Sequence, residues 1–308
     1  MKARRRTTLI GSLCLAVSLA ASIGELRRVD QLRPQGTLDE VLFISSPQVL
    51  KRASLGYDGL MADIYWTRAV QYFGRKRHVD ATAFHLLAPL LEITTHLDPH
   101  LIVAYDFGAN FLAPAPPDGA GEPQRAIQLV QYGIEHNPNE WKLYYNLGFI
   151  YYMQLQDYAK AADAFARGAE VPKAHPFVRI LAAKMAQHAG EYETARMLWR
   201  STYESTHDDL IQQNAIEHLR CLRVDEDVTH LQDAVTRFGQ RTGRLPASMY
   251  ELAVAEGWRG FPADPDGHPY KLDREGRVLV EHPQDFPFII KGVPPGYKAL
   301  PPKFRSKK

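Results

Sequence analysis

Pro138, in "EHNPN", and Pro172, in "AEVPK", stand 34 residues apart. Ala126, Ala161 and Ala195 keep nearly the same step, at 35 and 34 residues. Four residues after each comes a larger apolar side chain: Val130, Phe165 and Trp199. Upstream, the pairs Phe107-Gly108, Leu147-Gly148 and Ala182-Ala183 fall near the middle of the preceding apolar-periodic segment. A repeat of this length holds two helices and a turn, and such a unit buries its apolar stripe only by stacking on a neighbour. A small residue on the first helix and an alanine on the second let the two approach closely, and the large residue fills the gap to the next pair. The period therefore predicts a mostly α fold, a solenoid of antiparallel helix pairs.

The pairs can be placed along the chain. "GYDGLMADIYWTRAVQYFG" and "ATAFHLLAPLLEITTHLDPH" read as a first pair, ended by His-Leu-Asp-Pro at 96–99. The copy from Leu101 to Pro138 carries an insertion, "APAPPDGAGEPQ", between its helices. "EWKLYYNLGFIYYMQLQDYAKAADAFARGAEVP" is the most regular copy, with one extra residue in its turn around Leu155-Gln156. "FVRILAAKMAQHAGEYETARMLWR" is the last, and "DDLIQQNAIEHLRCLRV" at 208–224 is an amphipathic helix suited to cap the exposed end. These features resemble the tetratricopeptide repeat, a 34-residue helix–turn–helix unit. Leu147-Gly148, Tyr151, Tyr158, Ala161 and Phe165 stand where that family wants them, while Ala183 replaces a glycine in the last copy.

Such arrays bind peptides or partner proteins in a concave groove lined by first helices. The resemblance implies a non-enzymatic protein-binding or scaffold role, with no cofactor and no metal. Helical phase then selects Tyr145, Asn146, Phe149 and Tyr152 as groove residues, with Tyr105 on one side and Lys184 and His188 on the other. Aromatic rings supply contact area and Asn146 could grip a peptide backbone. For any one of these aromatics, packing between helices is an equal alternative. The Lys and Asn pattern with which chaperone-binding arrays clamp a C-terminal carboxylate is not matched.

The N-terminus points to a membrane partner. Lys2, Arg4, Arg5 and Arg6 precede "TTLIGSLCLAVSLAASIG", 18 uncharged residues from Thr7 to Gly24. A signal peptide, a signal anchor and a buried core helix compete for this run. The lack of a sharp polar region before "ELRRVDQLRP" favours an uncleaved membrane anchor over a cleaved signal, and either places the body outside the cytoplasm. Apart from those four, 33 positive charges face 35 negative ones, and no basic face announces nucleic acid.

Catalytic chemistry has little support. No nucleophile elbow, HExxH or phosphate loop occurs. His96 and His100 are four residues apart, but Pro99 breaks the helix that would align them. Cys14 lies in the apolar run, so Cys221 is left alone and is expected to be a buried, inert thiol.

After residue 224 the pattern changes. "VTHLQDAVTRFGQRTG" (228–243) reads as a short helix stopped at Gly239 or Gly243, and a second short helix follows with Ser248 as its cap. Tyr270-Lys271-Leu272 and Val278-Leu279-Val280 read as two strands joined by the Asp273-Arg274-Glu275-Gly276 turn. Gly243-Arg244-Leu245-Pro246, Leu252, Pro262, Asp264-Pro265, Gly267, Pro269 and Tyr270 resemble the C-terminal part of type II secretion major pseudopilins. The long pilin helix and its processing site are absent, so polymerisation is not implied. What this resemblance implies is a secretion or pilus-like setting, and with it the inner membrane and periplasm of a bacterial envelope. Asp264, Asp266 and Asp273 are read as a solvated turn rather than a calcium site. The organisation expected is a signal segment (1–24), a juxtamembrane stretch (25–56) with a short strand or extended segment at 41–45, a repeat domain (57–224), an α+β appendage (225–290) and a Pro-rich basic tail (291–308). An envelope hydrolase with a site between array and appendage, and a purely structural envelope subunit, are the rival readings.

Overall fold

The computed structural model describes residues 46–79 and 84–298, together with Ser18. The N-terminal run, the strand expected at 41–45 and the end of the basic tail lie outside the described residues. Among the described residues the chain is mostly α: eleven α-helices and one small antiparallel two-stranded sheet. None of these helices is long and apolar enough to cross a membrane.

Helix α1 (Pro47–Ala53) precedes four successive helix pairs. They are α2 (Asp58–Val79) with α3 (Leu87–Leu97), α4 (Ile102–Phe111) with α5 (Pro123–His136), α6 (Trp141–Phe149) with α7 (Tyr158–Ala169), and α8 (Phe177–Ala189) with α9 (Tyr192–Ser205). From α2 to α9 each helix packs on the next, α1 packs on α3, and α4 also packs on α6. Small residues record the sense of the pairing. A Cβ on Gly148 would meet the Phe165 ring at 2.6 Å, and one on Gly168 would meet Tyr144 Cβ at 2.8 Å. Residue numbers rise on α6 as they fall on α7, so the pair is antiparallel. Gly108 against Leu129 and Gly133 against Tyr105 repeat the arrangement between α4 and α5. Ala126, Ala161 and Ala195, and with them Val130, Phe165 and Trp199, are all wholly buried. Their common spacing is thus the spacing of the core.

The extra residue around Leu155-Gln156 has a local consequence. Helix α6 continues as a π-helical turn, Ile150–Leu155, and Gln156 follows in the left-handed conformation at φ 52°. One inserted residue widens the last turn of a helix in this way. The insertion at 113–124 folds back on its own stem: the N–H groups of Ala120 and Glu122 donate to the carbonyls of Phe111 and Leu112.

The two helices expected at 208–224 and 228–243 are one. Helix α10 runs from Asp209 to Thr242 and is capped at Gly243, φ 73°. No proline interrupts it, and its first glycine is Gly239. The charged stretch around residue 225 looks like a linker in sequence, yet Val224 and Asp225 are buried in the middle of the helix. The first half of α10 packs on α9. Val228, Leu231, Val235 and Phe238 on its second half join Leu252, Tyr270, Val278, Val280 and Phe286 in a separate core.

That second core holds α11 (Met249–Ala255), whose cap Ser248 accepts from the N–H of Glu251. It also holds strands β1 (Lys271–Leu272) and β2 (Val278–Leu279), paired Lys271 to Leu279 and Leu272 to Val278. Helix, cap, strands and connecting turn lie where the sequence places them. Beyond β2 a strap, residues 286–292, crosses back to the array, and Val280 N–H donates to Gly292 O. Gly292 has φ 72°, and a Cβ there would meet Val228 and Val280 at 2.8 Å.

Candidate partner-binding cleft

Helical spacing sets Trp141, Tyr145 and Phe149 on one face of α6, and the π turn carries Tyr152 onward from it. Their rings form a chain: Trp141 to Tyr145 at 6.0 Å, Tyr145 to Phe149 at 4.6 Å, and Phe149 to Tyr152 at 6.2 Å between centroids. It continues through Tyr158 at 6.1 Å to His188, stacked on Tyr158 at 5.2 Å. Phe165 supports it from α7, edge-on to both Tyr145 and Phe149. All but Phe165 and His188 are half-buried; Phe165 is buried and His188 exposed.

Beside this chain is an open cleft of about 270 Å³, bounded by Ala109 and Asn110 at the end of α4, Pro114 of the insertion, and Tyr145, Asn146, Phe149 and Met153. Asn146 is buried to its edge, and its Nδ2 donates to Asp106 Oδ1 at 2.6 Å. This bond fixes the Asn146 amide and joins α4 to α6 beside the cleft. At the α8 end, burial holds the Lys184 amine below the usual lysine range. His188, exposed as a residue but with its ring stacked on Tyr158, is likewise lowered, first by that partial loss of water and then by the Lys184 charge.

Of the seven residues selected from the sequence, Tyr145, Asn146 and Phe149 line the cleft, and Tyr152 and His188 extend the ring chain. Lys184 lies one helical turn before His188. Tyr105 departs from the expectation. It is 0 % exposed, its ring lies under Gly133, and its hydroxyl donates to Pro99 O at 3.0 Å. Tyr144 is buried in the same way, with its Cβ against Gly168 and its hydroxyl donating to Pro138 O at 3.2 Å. The counterpart of Tyr105 is therefore Tyr144, not Tyr145, and the residue on α4 that matches Tyr145 is Asp106, which accepts from Asn146. Matching those hydroxyl–proline pairs, six residues apart in both copies, is the signal that places Asp106 from sequence.

Most of the other candidate chemical groups are engaged in bonds or ring stacks. His96 Nδ1 lies 2.7 Å from Glu92 O, whereas His100 Nδ1 pairs with Asn137 Oδ1 at 2.8 Å. Asp264 Oδ1 accepts from the N–H groups of Asp266 and His268, Asp266 is bonded to Arg220, and Asp273 to Arg277. Among the described residues no group of three or more His, Cys, Asp or Glu side chains could hold a metal ion. Cys221 is buried, and burial pushes its thiol up to about 12. The junction of array and appendage is filled. His218 is stacked between Trp199 and Phe288 at 3.9 and 3.8 Å. Beside it Asp225 accepts from the backbone of Ile290 and Lys291 and from Gln187.

No protein-family model, curated protein or solved structure matches this chain.

Proposed function

We propose that this chain is a non-enzymatic binding factor of the bacterial envelope, a tetratricopeptide-like array anchored in the inner membrane by residues 7–24 with its body in the periplasm. Its α6 cleft takes an extended or helical segment of a partner protein. The observation that carries the reading is the chain of half-buried rings from Trp141 to Tyr158 alongside an open cleft. Half-buried aromatics on a rigid helix give a partner large apolar contact at small entropic cost. Asn110, Asn146 and Gln154 beside them offer polar groups for a peptide backbone. The pseudopilin-like appendage suggests a secretion or pilus-like apparatus as the setting.

The test is site-specific photocrosslinking from Met153, an exposed residue lining the cleft, in cells producing the full chain. A discrete adduct should form and should be lost in Y145A/F149A. Adducts of unchanged yield in the double variant would show that the cleft is not the binding surface.

A further inference from the structure

The turn between α1 and α2 contradicts the ordinary economy of a protein surface. Leu55 sits in the left-handed region at φ 52°, followed by Gly56 at φ 93°. For a leucine that conformation costs about 1 kcal/mol or more, and it is normally left to glycine or asparagine. No burial compensates, because Leu55 is 86 % exposed and Tyr57 next to it 69 %. Leu60 and Ile64, at 58 % and 45 %, continue the same face of α2, three and seven residues beyond Tyr57. The tip is held firmly: Ser54 N–H donates to Leu50 O, Tyr57 N–H to Ser54 O, and Met61 N–H to Tyr57 O, at 2.9, 2.9 and 3.1 Å. Leu50 itself is buried, so α1 anchors the turn in the core.

Charge around the tip is graded. Lys51 and Arg52, both exposed, occupy the last turn of α1. The nearest acid, Asp58, accepts a hydrogen bond from the Ser54 hydroxyl, and Asp63 lies exposed further along α2. An exposed leucine and tyrosine on a rigid turn, flanked by two cations, have the composition of a segment that enters the headgroup zone of an anionic bilayer. Position supports that occupant. Only 21 residues separate Gly24, the end of the apolar run, from Ser46, the N-cap of α1. Fully extended they reach about 70 Å, so a membrane that receives the run is within range of this tip.

We infer that Leu55, Tyr57, Leu60 and Ile64 form a bilayer-contact surface, which seats the first helix pair on the membrane and fixes the orientation of the cleft above it. This rests on the reading of residues 7–24 as membrane-inserted. Full-length protein with Cys14 replaced by serine, and Leu55 or Leu60 replaced by a cysteine carrying an environment-sensitive fluorophore, is reconstituted with phosphatidylcholine–phosphatidylglycerol vesicles. Val254→Cys, on the exposed face of α11, is the control. The label at 55 or 60 should brighten about twofold and be quenched by lipid-borne nitroxide but not by aqueous iodide, with the reverse at 254. Flotation with the vesicles but iodide quenching at 55 and 60 would overturn this surface alone, and so would a label there shielded from both quenchers, which would mean a protein occupant. Failure to float would overturn the anchor reading and this surface with it. Thermal melting of each labelled variant at the wild-type temperature establishes that the fold is intact.

Discussion

Tyr105 and Tyr145 both stand on first helices of their pairs, yet their variants should behave oppositely. Y105F removes a buried hydroxyl whose acceptor, Pro99 O, keeps a bond from Asn137 at 2.7 Å. It should cost about 1 kcal/mol in urea unfolding and leave the Met153 adduct intact. Y145A should change unfolding less than binding, and the adduct should fall. His218 makes a second residue-scale prediction. It is 2 % exposed, and neither ring nitrogen has a partner. Burial, and then the Lys184 charge, lowers its folded value from 6.5 to about 3. A depressed base binds fewer protons folded than unfolded, so stability is lost as pH falls below 6.5. Asp225 acts in the opposite sense. Burial raises it from 3.8 to about 6, so the folded state gains protons first and stability rises as pH falls through that window. The two trends offset between pH 6 and pH 4, and the wild-type melting temperature should be nearly flat there. H218F keeps the stack and removes the orphaned nitrogens. It should add about 1 kcal/mol at pH 7, and its melting temperature should climb between pH 6 and pH 4. A flat profile for H218F would refute the pairing of these two groups.

At the scale of elements, glycine contacts and one continuous helix decide the behaviour. G148A forces a methyl into the wholly buried Phe165 ring. Overpacking of this kind should destabilise by about 1–3 kcal/mol, measured by denaturant midpoint at constant slope. Asp225 sits mid-helix in α10 because the strap supplies its donors: Ile290 and Lys291 N–H at 3.0 and 2.9 Å and Gln187 Nε2 at 2.7 Å. D225A orphans those donors and should cost about 2–3 kcal/mol, with earlier proteolytic cutting in residues 282–292. Sequence pattern made the helices, the Ser248 cap and the Gly243 stop legible, because each depends on neighbours within four residues. It misjudged the region around 225 because local polarity there answers a segment some 65 residues away.

Across the whole molecule, α10 spans about 50 Å at 1.5 Å per residue and serves two cores. Its N-terminal half closes the array, and its C-terminal half is the wall of the appendage. Strap and helix together join the two parts, through Gln187, His218 and Asp225 on one side and Phe288 to Lys291 on the other. Array and appendage should therefore melt in a single calorimetric transition. R223P, at an exposed position within α10, removes a helical hydrogen bond at a cost of about 3 kcal/mol or more. It should split that transition in two; a single unshifted transition would mean that the helix is not the coupling element.

The sequence by itself determined the helix pairs, their 34-residue step and the residues that fill their core. These follow from periodic small and large side chains, whose effect is local and repeated. It also marked Tyr145, Asn146 and Phe149, since helical phase alone carries them to one face. The tertiary structure decided that Tyr105 is core and that Asp106 stands at the position matching Tyr145, because a one-residue phase shift blurs the correspondence between copies until the Tyr105–Pro99 and Tyr144–Pro138 bonds are seen. It alone joined two expected helices into one, because what stabilises Asp225 there is a strap remote in sequence, and long-range partners leave no periodic trace.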